Sequence, residues 1–212
     1  TSLARIRFTT SHPRDFNENL ISAMAGLPSV CEHIHLPLQS GSDKILRVMR
    51  RGYAFSDYFK KIDMLRDKIP GVALTTDIIV GFPGETEEDF EDTLSAMKRI
   101  RYDQIFSFKY SSRPSTAART MPDQVPDLIK IERLERVHRL QDEITGEYHR
   151  SAEGTVEEIL IEGVREKSLQ PFGRTRTNKI VNLEELADVK EGAIVRAIIT
   201  RGLKHSLLGK MI

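Results

Sequence analysis

Asp77 stands inside a β-branched apolar run, Val72 to Val80, where a carboxylate needs hydrogen-bond donors to offset its desolvation. Directly after the run, Gly81, Pro83 and Gly84 break the chain, and Thr86 with Glu87, Glu88 and Asp89 opens a helix as a cap followed by an acidic first turn. A strand, a glycine turn and a capped helix in that order can be a tight turn and nothing more. The same order can also let backbone approach a flat ligand, with free N–H groups at the helix start. A second group of residues is cationic. Residues 167–183 hold Lys167, Arg174, Arg176 and Lys179 with no acid, and residues 192–212 hold Arg196, Arg201, Lys204 and Lys210, again with none. Arg174 and Arg176, two apart on an extended strand, would share a face with Asn178, while Lys179 faces the other way. Arg201, Lys204 and His205 near a strand exit would extend the patch, and such clusters suit phosphate. Phe172 is the only aromatic residue from 151 onward, so platforms for stacking bases are nearly absent.

These residues need elements to position them. Arg5 to Thr10 alternates as a strand with Ser11-His12-Pro13 as its exit, and Phe16, Leu20, Ala23 and Met24 recur at helical spacing until Gly26-Leu27-Pro28. His33 to Leu38 reads as the next strand, with Ile34, Leu36 and Leu38 on one face and His33, His35 and Gln39 on the other. Ser42 caps a short helix through Arg50, and a helix from Ser56 buries Phe59, Ile62, Leu65 and Ile69. After the Asp77 strand, the helix from Glu87 to about Arg101 presents Phe90, Leu94, Met97 and Ile100. Gln104 to Tyr110 forms a fourth strand that exits through the polar residues 111–116. Pro126 starts a long helix to about Tyr148, facing the core with Ile131, Leu134, Val137 (or His138) and Ile144. Strands alternating with helices predict a parallel sheet of βαβ units, with ligands at the carboxyl ends of the strands, and place His35 and Gln39 on the inner face of a barrel. From Ser151 the texture changes to short strands, 155–161, 173–183, 193–200 and 206–211, separated by Gly163, Gly192 and Gly202, which predicts a small β-barrel. The boundary falls at about 150, giving domains 1–150 and 151–212.

With 212 residues, 39% of them hydrophobic, the chain can bury one good core or a core plus a small module. It has no apolar run long enough for a membrane span and no signal peptide, so it reads as soluble and cytoplasmic. A single cysteine, Cys31, excludes an internal disulfide framework and any cysteine-ligated cluster built from this chain alone. Cys31, His33 and His35 read as packing residues.

Three motifs carry a resemblance: HLPLQSGS at 35–42, TDIIVGFPGET at 76–86 and GRTRTNK at 173–179. Together they resemble the radical S-adenosylmethionine (SAM) methylthiotransferases, of the tRNA-modifying MiaB type, along essentially the whole chain. The resemblance implies an α/β partial parallel barrel, a truncated radical-SAM TIM-like barrel, followed by a small all-β, OB-like TRAM barrel that binds RNA. Members carry two iron–sulfur clusters, one of them on a CxxxCxxC loop, and this chain has neither set of cysteines. It therefore reads as the last four of six barrel strands plus the TRAM domain, a piece of such an enzyme without catalytic residues or metal ligands of its own.

By the same resemblance, Gln39 and the neighbouring Ser40 match positions at the SAM ribose. Asp77 matches an acceptor for ribose or adenine donors, and Arg51 a cation for the methionine carboxylate. Gly81, Phe82 and Pro83 would frame the adenine. The implied reaction places a methylthio group on isopentenylated adenosine beside the anticodon of tRNA. The alternatives are the family's ribosomal-protein aspartate methylthiotransferase, against which the basic GRTRTNK segment argues, and a non-catalytic RNA-binding module. A barrel cut at Arg5 to Thr10 would expose a strand edge and invite self-association.

Overall fold

The computed structural model describes residues 3–10, 12–114, 116–166, 168–184 and 189–212. Ser11 and Ser115 of the expected exit loops, and Lys167 of the acid-free run, lie outside the described residues. The chain divides into two compact units, one of Phe8–Pro28 with Ile34–Gln141, the other of Thr1–Arg7, Ser29–His33 and Asp142–Ile212. Among the described residues, no helix is long and apolar enough to cross a membrane.

The first unit is built on a three-stranded sheet in the order β1 (His33–His35), β2 (Ala73–Val80), β3 (Gln104–Lys109). β2 and β3 run parallel, with Asp77 opposite Phe106 and Ile79 opposite Phe108. β1 is shorter than the alternation suggests. Pro37 has no N–H to give, the Leu38 N–H goes to the Thr76 hydroxyl at 2.8 Å, and pairing resumes only where the Gln39 N–H meets the Asp77 carbonyl at 2.8 Å. Ile34, Leu36 and Leu38 are nonetheless fully buried on one side, as their spacing predicts. The expected strand Arg5–Thr10 does not form. Only isolated bridges occur there, Ile6 with Val30 and Thr9 with His35, and the side chains of Arg5 and Arg7 donate to the backbone carbonyls of Arg174 and Thr175.

Helices cover the sheet. α1 (Glu18–Gly26), capped by Asn17, buries Ile21 and Met24; Ala23 of the expected stripe is exposed. α2 (Asp43–Val48) is capped by Ser42 and ends before Arg50, which adopts φ +57°. α3 (Phe55–Lys68) buries Tyr58, Ile62 and Leu65, whereas Phe59 is half-buried with the Arg99 guanidinium 3.6 Å from its ring centre. α4 (Glu87–Ile100) opens with a reciprocal capping box between Thr86 and Asp89 and buries the expected Phe90, Leu94, Met97 and Ile100.

α5 (Asp127–Ser151) departs most from its hydropathy. Its buried side chains include Lys130, Arg133, Val137, Gln141 and Ile144, while Ile131 is 42% exposed and Leu134 only half-buried. Between the two alternatives at the next turn, Val137 is buried. His138 lies outside, 2.8 Å from the Ser107 hydroxyl.

In the second unit, β4 (Val156–Val164), β5 (Pro171–Arg174), β6 (Ile180–Leu183), β7 (Ile194–Gly202) and β8 (Leu207–Met211) close a barrel in the order β4-β5-β6-β8-β7. Ile159, Ile161, Val181, Leu183, Ala197, Ile199 and Leu207 fill it. Gly173 allows the closure, since a Cβ there would lie 2.1 Å from the Leu160 carbonyl oxygen. The expected strand 173–183 is two strands. Thr175 to Lys179 forms a turn closed by Thr175 N–H to Lys179 carbonyl and Asn178 N–H to Thr175 carbonyl, both 3.0 Å, with Asn178 at φ +68°, a region asparagine tolerates.

Candidate functional site

At the carboxyl end of β1 the chain enters HLPLQSGS. Gln39 is held at φ +74° with both backbone groups paired to β2, its N–H to the Asp77 carbonyl and its carbonyl to the Ile79 N–H at 2.9 Å. A non-glycine residue in that region is held there by its surroundings. Its side-chain amide Nε2 stands 3.4 Å from Asp77 Oδ2. The Asp77 side chain is 27% exposed, so the carboxylate sits at an opening of the otherwise buried strand. His35, read from the sequence as a packing residue, joins it: Nε2 lies 3.5 Å from Asp77 Oδ1 and Nδ1 3.0 Å from the Thr75 hydroxyl, with Phe106 edge-on to the ring at 5.7 Å. Amide, carboxylate and imidazole on one open sheet face can accept from and donate to the hydroxyls of a sugar.

Arg51 reaches the same strand end. Its Nε is 3.3 Å from the Tyr53 hydroxyl and its Nη2 3.5 Å from the Pro37 carbonyl, and Tyr53 itself donates toward the Pro37 and Leu38 carbonyls. Burial pushes the Tyr53 phenol pKa up. Ser40 differs. It is fully buried, with its hydroxyl 3.3 Å from the Thr93 hydroxyl, while the Gly41 N–H donates to Thr93 at 2.9 Å and the Ser42 hydroxyl to Asp89 at 2.7 Å. The Q-S-G-S turn is thus fastened to the first turns of α4. Gly41 is required there, because a Cβ would lie 2.4 Å from the Asp92 carbonyl oxygen.

The G-F-P-G-E-T turn is closed from within. The Gly81 N–H donates to Glu85 Oε1 at 2.8 Å, the Glu85 N–H to the Phe82 carbonyl at 2.9 Å, and the Gly84 N–H to the Asp123 carbonyl at 2.9 Å. Phe82 packs edge-on against Tyr110, ring centres 5.1 Å apart. Burial pushes the Glu85 carboxyl pKa up, against the pull of the Gly81 N–H and Arg133. Glu85 and Arg133 are the residues that sequence reasoning passed over. The signal available was that a glutamate inside a strand-exit turn needs a partner.

The second cluster lies in the barrel unit. β6 and β8 run parallel with Val181 opposite Leu207, which brings the 175–179 turn and the 203–206 turn to one end of the barrel. The arginines there are already engaged. Arg174 Nε meets Glu162 at 3.1 Å, and Arg176 grips Glu32 through Nε at 2.7 Å and Nη2 at 2.8 Å while also donating to the Val30 carbonyl. The hydrogen bond from Arg176, chiefly, holds the Glu32 carboxyl below its usual range. Arg176 leaves the strand, so it does not share a strand face with Arg174 as the spacing suggested. Asn178 accepts weakly from Arg174 at 3.4 Å, the Lys179 ammonium lies 5.7 Å from the Tyr148 ring centre, and Lys204 pairs with Asp142 at 3.0 Å. Arg201 and His205 are exposed.

Among the described residues no group of His, Cys, Asp and Glu could hold a metal, and Cys31 is buried, so the residues present do not fit an iron–sulfur cluster. The open Gln39–Asp77 pair offers an amide and a carboxylate to hydroxyl or amine groups, and the Arg51 guanidinium lies by the Pro37 carbonyl at the end of β1.

Comparison with known proteins gives two family matches. Residues 1–97 match the Radical SAM superfamily and residues 150–212 the TRAM domain. The tRNA-2-methylthio-N(6)-dimethylallyladenosine synthase of Syntrophobacter fumaroxidans is 47% identical over 100% of this chain and 46% of its own length. The like-named protein of Thermodesulfovibrio yellowstonii is 48% identical over 99% of this chain and 48% of its own, and that of Aquifex aeolicus 46% identical over 98% and 47%. The chain thus spans about half the length of these relatives. The coproporphyrinogen III oxidase of Escherichia coli, a radical-SAM enzyme, shares the fold, with a TM-score of 0.55 at 19% identity over 66% of this chain and 32% of that one. Joining a radical-SAM portion to a TRAM domain, with matches along its whole length to these synthases, the chain belongs to the radical-SAM methylthiotransferase family, in its MiaB branch.

Proposed function

We propose that this chain serves a cytoplasmic tRNA methylthiotransferase that converts N6-dimethylallyladenosine to its 2-methylthio derivative, and that its own residues supply SAM binding and tRNA holding. The observation that carries the reading is the Gln39–Asp77 pair, two motif residues 38 positions apart that meet on an open sheet face. Asp77 accepts from the ribose or adenine donors, Gln39 binds the ribose, and Arg51 takes the methionine carboxylate as a fork-shaped cation. Gly81, Phe82 and Pro83 frame the adenine, and Ser40 acts from behind by fixing the turn that carries Gln39. SAM supplies the methyl group and, when cleaved reductively, the radical that activates the substrate carbon. The cluster cysteines such chemistry requires are not among the residues of this chain, so no radical step is assigned to it.

For RNA, the exposed Arg201 and His205 at one barrel end meet phosphates directly, Lys204 does so by leaving Asp142, and Lys179 adds charge beside them. Arg174, Arg176 and Asn178 hold the turn between them, and a phosphate reaches either arginine by displacing its carboxylate. Interactions of this kind hold the backbone and carry no sequence information.

The test is Asp77→Asn in the full-length, cluster-loaded enzyme. SAM affinity is expected to fall about ten-fold, the weight of one charged hydrogen bond, with tRNA affinity unchanged. Unchanged SAM binding would overturn the assignment.

A further inference from the structure

We infer that Arg133, on α5, is a positioning residue for the cofactor: it holds Glu85, and through Glu85 it fixes the Gly81–Glu85 turn on which the adenine of SAM is to lie. The inference rests on the reading of that strand end as the SAM site.

At its first residue, Gly81, the turn is closed by a single carboxylate. Glu85 Oε1 receives the Gly81 N–H, which sets the plane of the first peptide after β2 and with it the direction in which Phe82 and Pro83 leave the sheet. The Glu85 side chain is 1% exposed, so water is not there to orient it. Arg133 does so. Its Nη1 donates to Glu85 Oε1 at 2.6 Å and to the Glu85 backbone carbonyl at 3.2 Å, gripping both ends of one residue, and its side chain is 5% exposed. Nη2 reaches Glu87 at 3.3 Å, in the first turn of α4, so the guanidinium ties the turn to the helix that follows it. Its carbon lies 5.3 Å from the centre of the Phe90 ring.

One turn earlier on α5, Lys130 shapes the same place from its aliphatic stem. Gly81 has φ +72°, and a Cβ there would lie 2.3 Å from Lys130 Cγ. The Lys130 ammonium pairs with Asp127 at 3.1 Å and lies 5.7 Å from the centre of the Tyr110 ring, which in turn packs on Phe82. The guanidinium of Arg133 and the aliphatic stem of Lys130, in successive turns, therefore face the glycine turn.

An apolar pair of similar volume would bury as much surface and would not require two charges to be desolvated. What the ion pair adds is direction. Hydrogen bonds fix the carboxylate that fixes the Gly81 N–H, and a methionine side chain cannot. This separates positioning from stability and gives the experiment its form.

In the full-length, cluster-loaded enzyme, Arg133→Met is compared with Arg133→Lys, with the double variant Glu85→Met/Arg133→Met and with Asp77→Asn. The readouts are SAM Kd, tRNA Kd and the thermal midpoint. Arg133→Met is expected to raise the SAM Kd about ten-fold or more with tRNA Kd unchanged, and Arg133→Lys to recover part of it, since lysine keeps the charge without the forked grip. The double variant is expected to regain the thermal midpoint and not the SAM affinity. Recovery of SAM affinity together with stability in the double variant would show a merely structural role and overturn the inference. Unchanged SAM binding in Arg133→Met, with Asp77→Asn weakened, would overturn it and leave the site in place. If neither variant changes SAM binding, the site reading falls and the inference falls with it.

Discussion

Asp89 shows how much a single side chain can be asked to hold. Burial alone would raise its carboxyl pKa, but hydrogen bonds from Lys44, the Thr86 backbone and hydroxyl, and Ser42 outweigh it and bring it down to about 2. Lys44 Nζ is 2.6 Å away and the Ser42 hydroxyl 2.7 Å. The folded value lies below the unfolded one of about 3.9, so the group stabilises the fold above that value and the contribution disappears as pH falls toward 2. It amounts to about 2–3 kcal/mol. Thermal unfolding of the parent and of Asp89→Asn should therefore differ clearly at pH 6 and converge near pH 2. A difference that persists at pH 2 would mean that packing, not charge, is what the carboxylate supplies.

At the scale of elements, two turns are fastened by opposite means. The Q-S-G-S turn meets α4 through close approach, and Gly41→Ala, with its Cβ 2.4 Å from the Asp92 carbonyl oxygen and 2.6 Å from Thr93 Cα, must push turn and helix apart. A loss of about 2–3 kcal/mol is expected in denaturant unfolding. The 175–179 turn of the barrel is held instead by charge, with Arg174 on Glu162 and Arg176 on Glu32. Replacing both arginines by alanine in the full-length enzyme should weaken tRNA binding and lower its salt slope by about one for each phosphate no longer neutralised. Replacing the exposed Arg201 and Lys204 should lower it at least as much, because Arg176 is held by two carboxylate oxygens and Lys204 by one. Filter binding across a salt series decides this, and slopes identical to the parent in both variants would remove the barrel end from the RNA interface.

At the scale of the molecule, the sheet of the first unit has an open edge at β3. Ile6 has both backbone groups paired, its N–H to the Ser29 carbonyl at 2.7 Å and its carbonyl to the Cys31 N–H at 2.9 Å. Among the described residues β3 pairs only with β2, and its sheet face carries Phe106 and Phe108, 45% and 53% exposed. An unpaired edge beside exposed aromatic residues promotes association. The isolated 212-residue chain is expected to self-associate with rising concentration in sedimentation velocity, and Phe106→Lys with Phe108→Lys to suppress it. A parent chain that stays monomeric throughout would contradict this.

Much of the architecture is legible in the amino-acid order because it depends on neighbours. The caps at Ser42 and Thr86, the buried parity of Ile34, Leu36 and Leu38, the stripe of α4 and the short strands after Ser151 all follow from backbone periodicities of two and 3.6. Of the candidate site, Gln39, Asp77 and the glycine turn stand out locally by breaking the pattern of their strands. Tertiary structure alone decided which charges are inside. Arg133 reads as part of the polar face of α5, and it is buried because Glu85, 48 residues away, neutralises it. Arg176 reads as a free strand cation, yet Glu32, 144 residues earlier, holds it. A local window weighs a charge by its own hydration. Whether that charge can be buried depends on a partner that only folding brings near.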